Sequence, residues 1–286
     1  MTVDAMTRID GGEFDMGSDD FFPEERPVHR RRVDGFWIDT TPVTVAEFAE
    51  FVDATGYVSV AERPIDPARY PGVDPALLVP GGLVFVRPDR PVPLDDWSRW
   101  WAYRPGARWR RDGAGDHPVT QIAFEDAQAF ATWAGKSLPT EAEWEFAARG
   151  GTVGTVYAWG DDVAPDGRRM ANTWVGRFPS EFIPGDGQHA EPGTTPVGTY
   201  PPNGYGLSDM IGNVWEWTVD EYRDRHVSSC CGPSSPMSDG VVRRVIKGGS
   251  HLCAPNYCLR YRPAARQSQD DDTSTSHIGF RCVVRD

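Results

Sequence analysis

No run of about 18 apolar residues occurs anywhere in the chain, so no segment can cross a bilayer as a helix. Basic residues are scarce beside acidic ones, 29 Lys and Arg against 42 Asp and Glu, for a formal charge of −13. That balance argues against a nucleic-acid binder, which carries a basic face. The opening Met1-Thr2-Val3-Asp4-Ala5-Met6 lacks the basic start and apolar stretch of a secretory signal. A cytoplasmic home, where thiols stay reduced, is therefore the expectation. The five cysteines are odd in number and form no secreted-type framework. No Gly/Ser-rich or charge-rich linker divides the chain, so residues 1–286 are read as one domain, with a monomer as the default.

Glycine and proline are plentiful, at 30 and 25, which predicts abundant loops and short regular elements. Three helices are nonetheless legible. The first runs from about Val45 to Ala54. Thr44 is its N-cap, Glu47 completes a capping box and Gly56 stops it. The second follows His117-Pro118-Val119-Thr120, with Phe124, Ala127, Ala131 and Ala134 on one face and Gly135 at its end. The third takes Thr140 as cap and Glu143 as its box partner, and ends at Gly150-Gly151. Pro-Val-Thr introduces the first two, a hint of duplication too short to establish one. A short strand and turn are expected over Ile9–Ser18 and a strand over His29–Asp39, the latter opening on a basic triplet read as a solvated or carboxylate-paired face. Trp97, Trp100, Trp101, Tyr103 and Trp109 crowd one stretch and read as packing, with a partner-docking surface as the minority alternative.

The chemistry concentrates in Gly248-Gly249-Ser250-His251-Leu252-Cys253-Ala254-Pro255-Asn256-Tyr257-Cys258. Pro255 and Asn256 predict an irregular loop able to turn both thiols toward one point. Two converging thiolates suit Cu(I). The same pair could close a disulfide or be inert, since spacing does not show geometry. The glycines allow close backbone approach, and Ser250 places a hydroxyl three residues from the first thiol. Cys230 and Cys231 receive no role, and Cys282 reads as core.

Oxygen ligands occur elsewhere. Asn172 and Asp186 are short oxygen-bearing side chains in Gly-rich loops, suited to a hard cation. Glu216 lies between Trp215 and Trp217, where a buried carboxylate needs a cation or strong hydrogen bonds. Carbonyls of Ile211, Gly212 and Val214 could complete a Ca²⁺ site, and a hydrogen-bonded structural Glu216 is the alternative.

The ordered motifs Gly11-Gly12-Glu13-Phe14, Leu138-Pro139-Thr140-Glu141-Ala142-Glu143-Trp144-Glu145, Asn203-Gly204-Tyr205-Gly206-Leu207, Gly212-Asn213-Val214-Trp215-Glu216-Trp217 and Gly279-Phe280-Arg281 resemble the formylglycine-generating enzymes, or sulfatase-modifying factors, along essentially the whole chain. Ser250-x-x-Cys253-x-x-x-x-Cys258, followed by Arg260-Tyr261-Arg262, resembles the catalytic members.

The resemblance implies an α+β fold with little regular structure, a distant variant of the C-type-lectin architecture. It implies oxidation by O₂ of the cysteine in a Cys-x-Pro-x-Arg motif of an unfolded sulfatase, giving Cα-formylglycine. Cys253 and Cys258 would hold Cu(I), Ser250 would orient the substrate thiol or reduced oxygen, and Trp217 would wall the oxygen pocket. It also implies two structural Ca²⁺ sites. One would use Asn172 and Asp186 with carbonyls of Thr173 and Gln188, the other Glu216 with those of Ile211, Gly212 and Val214. The chain departs from many catalytic relatives at Ala254, where they have His, and at Gln269-Asp270-Asp271-Asp272, where they have Asn-Thr-Pro-Asp. A noncatalytic binding module of the same fold is the alternative. An iron-dependent sulfoxide synthase is disfavoured, because the six histidines include no pair at ligand spacing.

Overall fold

The computed structural model describes residues 5–69, 71–185, 188, 190–226 and 242–286. Eleven short strands and three helices lie among them. Strands β1 (Met6–Ile9), β4 (Phe36–Asp39) and β11 (Val283–Arg285) make one antiparallel sheet, which ties the two ends of the chain together. β2 (Gly12–Met16) pairs with β3 (His29–Val33). The single strand expected over His29–Asp39 is thus two, broken at Asp34-Gly35, and each half pairs with a different partner. The basic triplet is carboxylate-paired: Arg30 meets Glu13 and Asp15, and Arg32 meets Asp34.

The helices start where their caps require. In α1 (Val45–Thr55) the Thr44 hydroxyl accepts from the Glu47 N–H at 3.2 Å, and the Glu47 carboxylate accepts from the Thr44 N–H at 2.8 Å. Gly56 then adopts the left-handed φ of 68° that ends a helix most cheaply with glycine. α3 (Glu141–Arg149) repeats this pattern with Thr140, Glu143 and Gly150. α2 (Phe124–Trp133) has no hydroxyl at its cap. The Asp126 carboxylate accepts from the Ala123 N–H at 2.9 Å instead. The two Pro-Val-Thr stretches lie side by side: the Val119 N–H donates to the Val43 carbonyl and the Val45 N–H to that of His117, each at 2.9 Å.

Two ladders frame the site. The hairpin of β5 (Gly81–Phe85) and β6 (Trp101–Pro105) is one. The other is the sheet β10-β7-β8-β9, built from Ile278–Gly279, Trp215–Glu221, Arg243–Lys247 and Arg266–Asp270. Behind them packs an aromatic core in which Phe48 contacts Phe51, Trp109, Phe130 and Phe280. No helix among the described residues is long and apolar enough to cross a membrane.

Candidate active site

The cysteine loop leaves the end of β8 through Gly248 and Gly249, both at positive φ (93° and 74°). A Cβ on Gly249 would come within 2.9 Å of the Arg260 carbonyl, so only glycine fits the approach. The loop then winds through turns, with the Cys253 N–H donating to the Ser250 carbonyl and the Cys258 N–H to the Ala254 carbonyl. It is pinned from outside as well. The Asn256 carboxamide exchanges two hydrogen bonds with the backbone of Phe178, and the Trp174 N–H donates to the Cys253 carbonyl. Ala254 is fully buried against Trp100, Trp174, Phe178 and Leu252, so a methyl group fills a packed aromatic site there.

These turns bring the two thiols together. Both cysteines are buried, neither is in a disulfide, and both line one cavity, near enough that each shifts the other's acidity. Burial and the neighbouring sulfur hold the Cys253 thiol well above its ordinary range. Cys258 is shifted down, chiefly by the hydrogen bond from Cys253, with help from backbone N–H groups and the Arg260 guanidinium. No third His, Cys, Asp or Glu joins them among the described residues. The set is therefore two-coordinate and soft, and it fits Cu(I) with room for one more thiolate.

A cavity of about 190 Å³ opens over the pair. Trp100, Trp101 and Trp215 form its aromatic walls, and Ser250, Arg260, Gln267 and His277 supply polar groups. The Ser250 hydroxyl accepts from the Leu252 N–H at 3.2 Å, and the Ser250 N–H points at the Cys253 sulfur at 3.4 Å. Arg260 is steered by the Glu24 carboxylate at 2.5 Å and lies 3.9 Å over the Phe22 ring.

Trp217, expected on the oxygen pocket, does not line this cavity. Its indole N–H donates to the Ile122 carbonyl at 3.0 Å and its ring meets Phe124 edge-on. Of the two tryptophans flanking Glu216, the one on the cavity is Trp215. Residues two apart on a strand share a face, so the alternation that exposes one to the thiols gives no way to choose between them. Trp100 and Trp101, read from sequence as packing, also belong to the wall. Trp97, by contrast, is exposed.

The oxygen-ligand sets fare differently. Asn172 and Gln188 are brought together, the Gln188 amide donating to the Asn172 side-chain oxygen. The Gln188 oxygen accepts from the Gly185 N–H at 2.5 Å. The Gly185 N–H fixes the Gln188 carboxamide in this orientation, so its amide nitrogen stands beside the Asn172 oxygen, and the oxygens left for a cation there are those of Asn172 and the main chain. Thr173 follows Asn172 directly, and Asp186 lies outside the described residues.

Glu216 does not fit. Both its oxygens accept from the Arg281 fork at 2.8 Å, and the Trp144 indole donates to one of them at 2.7 Å. The carboxylate is neutralised by a buried cation of the protein, which is the structural alternative stated above. The orphaned oxygen of this turn belongs to Asp209, just before Ile211 and Gly212. One of its oxygens accepts from the Gly198 N–H at 2.7 Å, while the other is buried without a partner. Burial raises its pKa to about 6. A cation held by Asp209 and the neighbouring carbonyls would relieve both the desolvation and the missing contact.

The sulfatase-modifying factor enzyme 1-like domain matches residues 1–286. The formylglycine-generating enzyme of Mycobacterium tuberculosis is 55% identical over 292 residues, covering 96% of each chain. That of Streptomyces coelicolor is 44% identical, covering 96% of this chain and 88% of its own. Among solved structures, PvdO from Pseudomonas aeruginosa superposes with a TM-score of 0.68 at 23% identity, over 98% of this chain and 94% of its own, and so shares the fold. The chain belongs to the formylglycine-generating enzymes of the sulfatase-modifying factor family.

Proposed function

We propose that the protein uses O₂ and Cu(I) to oxidise the cysteine of a Cys-x-Pro-x-Arg motif in an unfolded sulfatase, leaving formylglycine. The observation that carries this reading is the pair of neighbouring buried thiols on one small aromatic cavity, with no third donor among the described residues. Held by both thiolates, Cu(I) would supply the one-electron chemistry that lets dioxygen react with a closed-shell thiol. Cys258, the more acidic thiol, enters the pair as thiolate first, and Cys253 follows on losing its proton. Ser250 offers its hydroxyl hydrogen to the incoming sulfur or to reduced oxygen, while the tryptophan walls exclude bulk water. Cβ of the substrate loses two electrons and hydrolysis releases sulfide. The further two electrons that full reduction of O₂ requires come from a thiol reductant.

A mostly acidic cavity beside the thiols supports the arginine of the motif. This second cavity of about 690 Å³ lies over the same two ladders; Asp66, Glu125, Asp271 and Asp272 outnumber Arg63 and Arg244 on its lining, and Arg63 pairs with Glu125. Trp101 borders the thiol cavity and Tyr103, two residues on along β6, borders the acidic one. Gln267 and Asp271 bracket the same step on the other ladder, four residues apart. Four residues of extended chain span about 13 Å, so a cysteine over the thiols would set the arginine among the carboxylates. A cytoplasmic monomer, with Ca²⁺ at Asn172, Thr173, Asp186 and Gln188 and at Asp209, completes the reading.

The test is aerobic incubation of a Cys-x-Pro-x-Arg peptide with Cu(I)-supplied protein, followed by mass spectrometry. Aldehyde is expected. A peptide recovered unchanged under conditions where a known relative turns it over would refute the proposal.

A further inference from the structure

Besides Trp100 and Arg260, whose Nε1 and Nε are buried without a partner, two polar side chains on the thiol cavity have hydrogen-bonding capacity that no described residue uses. His277 binds the Thr275 hydroxyl through Nδ1 at 2.7 Å, and no described residue bonds its Nε2. Its ring is held against Trp101, with centroids 4.8 Å apart, and its carbonyl accepts from the Trp215 N–H at 2.9 Å. The imidazole is thus fixed in place by both walls of the cavity. Gln267 sits across from it on β9, in register with Ile246, and no described residue bonds its carboxamide. Polar groups left without partners beside aromatic walls are costly unless a ligand or water satisfies them.

The cavity's volume limits what that ligand can be. Its 190 Å³ holds about six waters' worth of atoms, enough for a cysteine side chain with its flanking peptide groups. The cysteine side chain offers sulfur to the thiols and has no nitrogen or oxygen to offer His277 or Gln267. A main-chain peptide group has one donor and one acceptor. A neutral imidazole and a carboxamide match that pair whichever tautomer His277 adopts, because Gln267 can either donate or accept.

Resting on the proposed function, we infer that His277 and Gln267 bind the main chain beside the reacting cysteine, and so position that cysteine over Cys253 and Cys258. They are positioning residues that recognise backbone rather than sequence. The role suits an enzyme whose substrate must be presented as extended chain.

The experiment compares wild type with Gln267→Leu, His277→Phe and the conservative His277→Gln. One readout is the Kd of a fluorescently labelled Cys-x-Pro-x-Arg peptide on the full-length chain, measured by anisotropy. The other is the split between KM and kcat for aldehyde formation. Loss of one uncharged hydrogen bond should raise Kd and KM about fivefold in Gln267→Leu and in His277→Phe, with kcat within about twofold. His277→Gln, whose carboxamide reaches the position of Nε2, should restore most of the affinity. Gln267→Leu removes no internal hydrogen bond, so its folding is not at issue even where His277→Phe loses stability. Wild-type affinity in Gln267→Leu and His277→Phe, or a fall in kcat at unchanged KM, would overturn the inference while leaving the function intact. A wild-type chain that neither binds nor oxidises the peptide would overturn both.

Discussion

Arg262 grips the Glu25 carboxylate through two parallel N–H···O bonds of 2.8 and 2.6 Å, and both side chains are essentially sealed from solvent. The guanidinium also lies 3.6 Å over the Phe21 ring. Together with Arg260 and Glu24, this ties the N-terminal turn Pro23–Glu25 to the irregular segment between the cysteine loop and β9. Removing one partner would leave a buried charge uncompensated. Glu25→Gln should therefore cost about 3–5 kcal/mol in urea unfolding. Arg262→Lys should also be destabilising, because an ammonium cannot make the two-pronged contact. A loss below about 1 kcal/mol in Glu25→Gln would mean the pair does not anchor the turn.

Trp215 and Trp217 should separate cleanly on mutation. Trp217→Phe loses the hydrogen bond to Ile122 and should lower stability by about 1–3 kcal/mol, with kcat/KM of the folded protein nearly unchanged. Trp215→Phe should depress aldehyde formation by at least about tenfold, since it reshapes the cavity wall directly. The reverse pattern would return Trp217 to the site.

Stability should fall with pH around Asp126. This carboxylate accepts from the N–H groups of Val60 and Ala123 and from the Tyr57 hydroxyl, and burial raises its pKa from 3.8 to about 6. The folded state holds the proton more tightly than the unfolded one. That contribution is complete below about pH 3.8 and is lost as pH rises through about 6, amounting to about 3 kcal/mol at most. Subtracting the pH profile of Asp126→Asn from that of wild type should reveal a decline between pH 4 and 6 attributable to this group. A flat difference would place Asp126 in a more solvated setting.

Much of the scaffold was legible because its determinants are local. The Thr44–Glu47 and Thr140–Glu143 boxes span three residues, so they are written in the sequence as they stand in space. The thiol pair was legible for the same reason: Cys253 and Cys258 share one loop. The cavity wall was not. Trp100 and Trp101 reach it from about 150 residues upstream through the β5–β6 hairpin. Glu216 read as an orphan because its partner Arg281 lies 65 residues away, and only the fold brings that guanidinium beside it. Asp209 was missed because what marks it is an unpartnered oxygen, which has no sequence signature.

Calcium offers a test of that reassignment. At about a hundredfold its Kd, Ca²⁺ stabilises a protein by about 2.7 kcal/mol per site. Asp209→Asn should remove about half of the calcium-dependent rise in Tm expected from two sites. Glu216→Gln should destabilise by a similar amount with and without calcium, because what it breaks is the contact with Arg281. A calcium response abolished by Glu216→Gln and untouched by Asp209→Asn would restore Glu216 as the ligand.

The central claim is that Cys253 and Cys258 act as one soft donor pair, and its most direct test is a Cu(I) titration against a competing chelator. Wild type should take up one Cu(I) per chain, and Cys253→Ser and Cys258→Ser should each lose high-affinity uptake together with aldehyde formation. Undiminished Cu(I) affinity and turnover in either serine variant would contradict it.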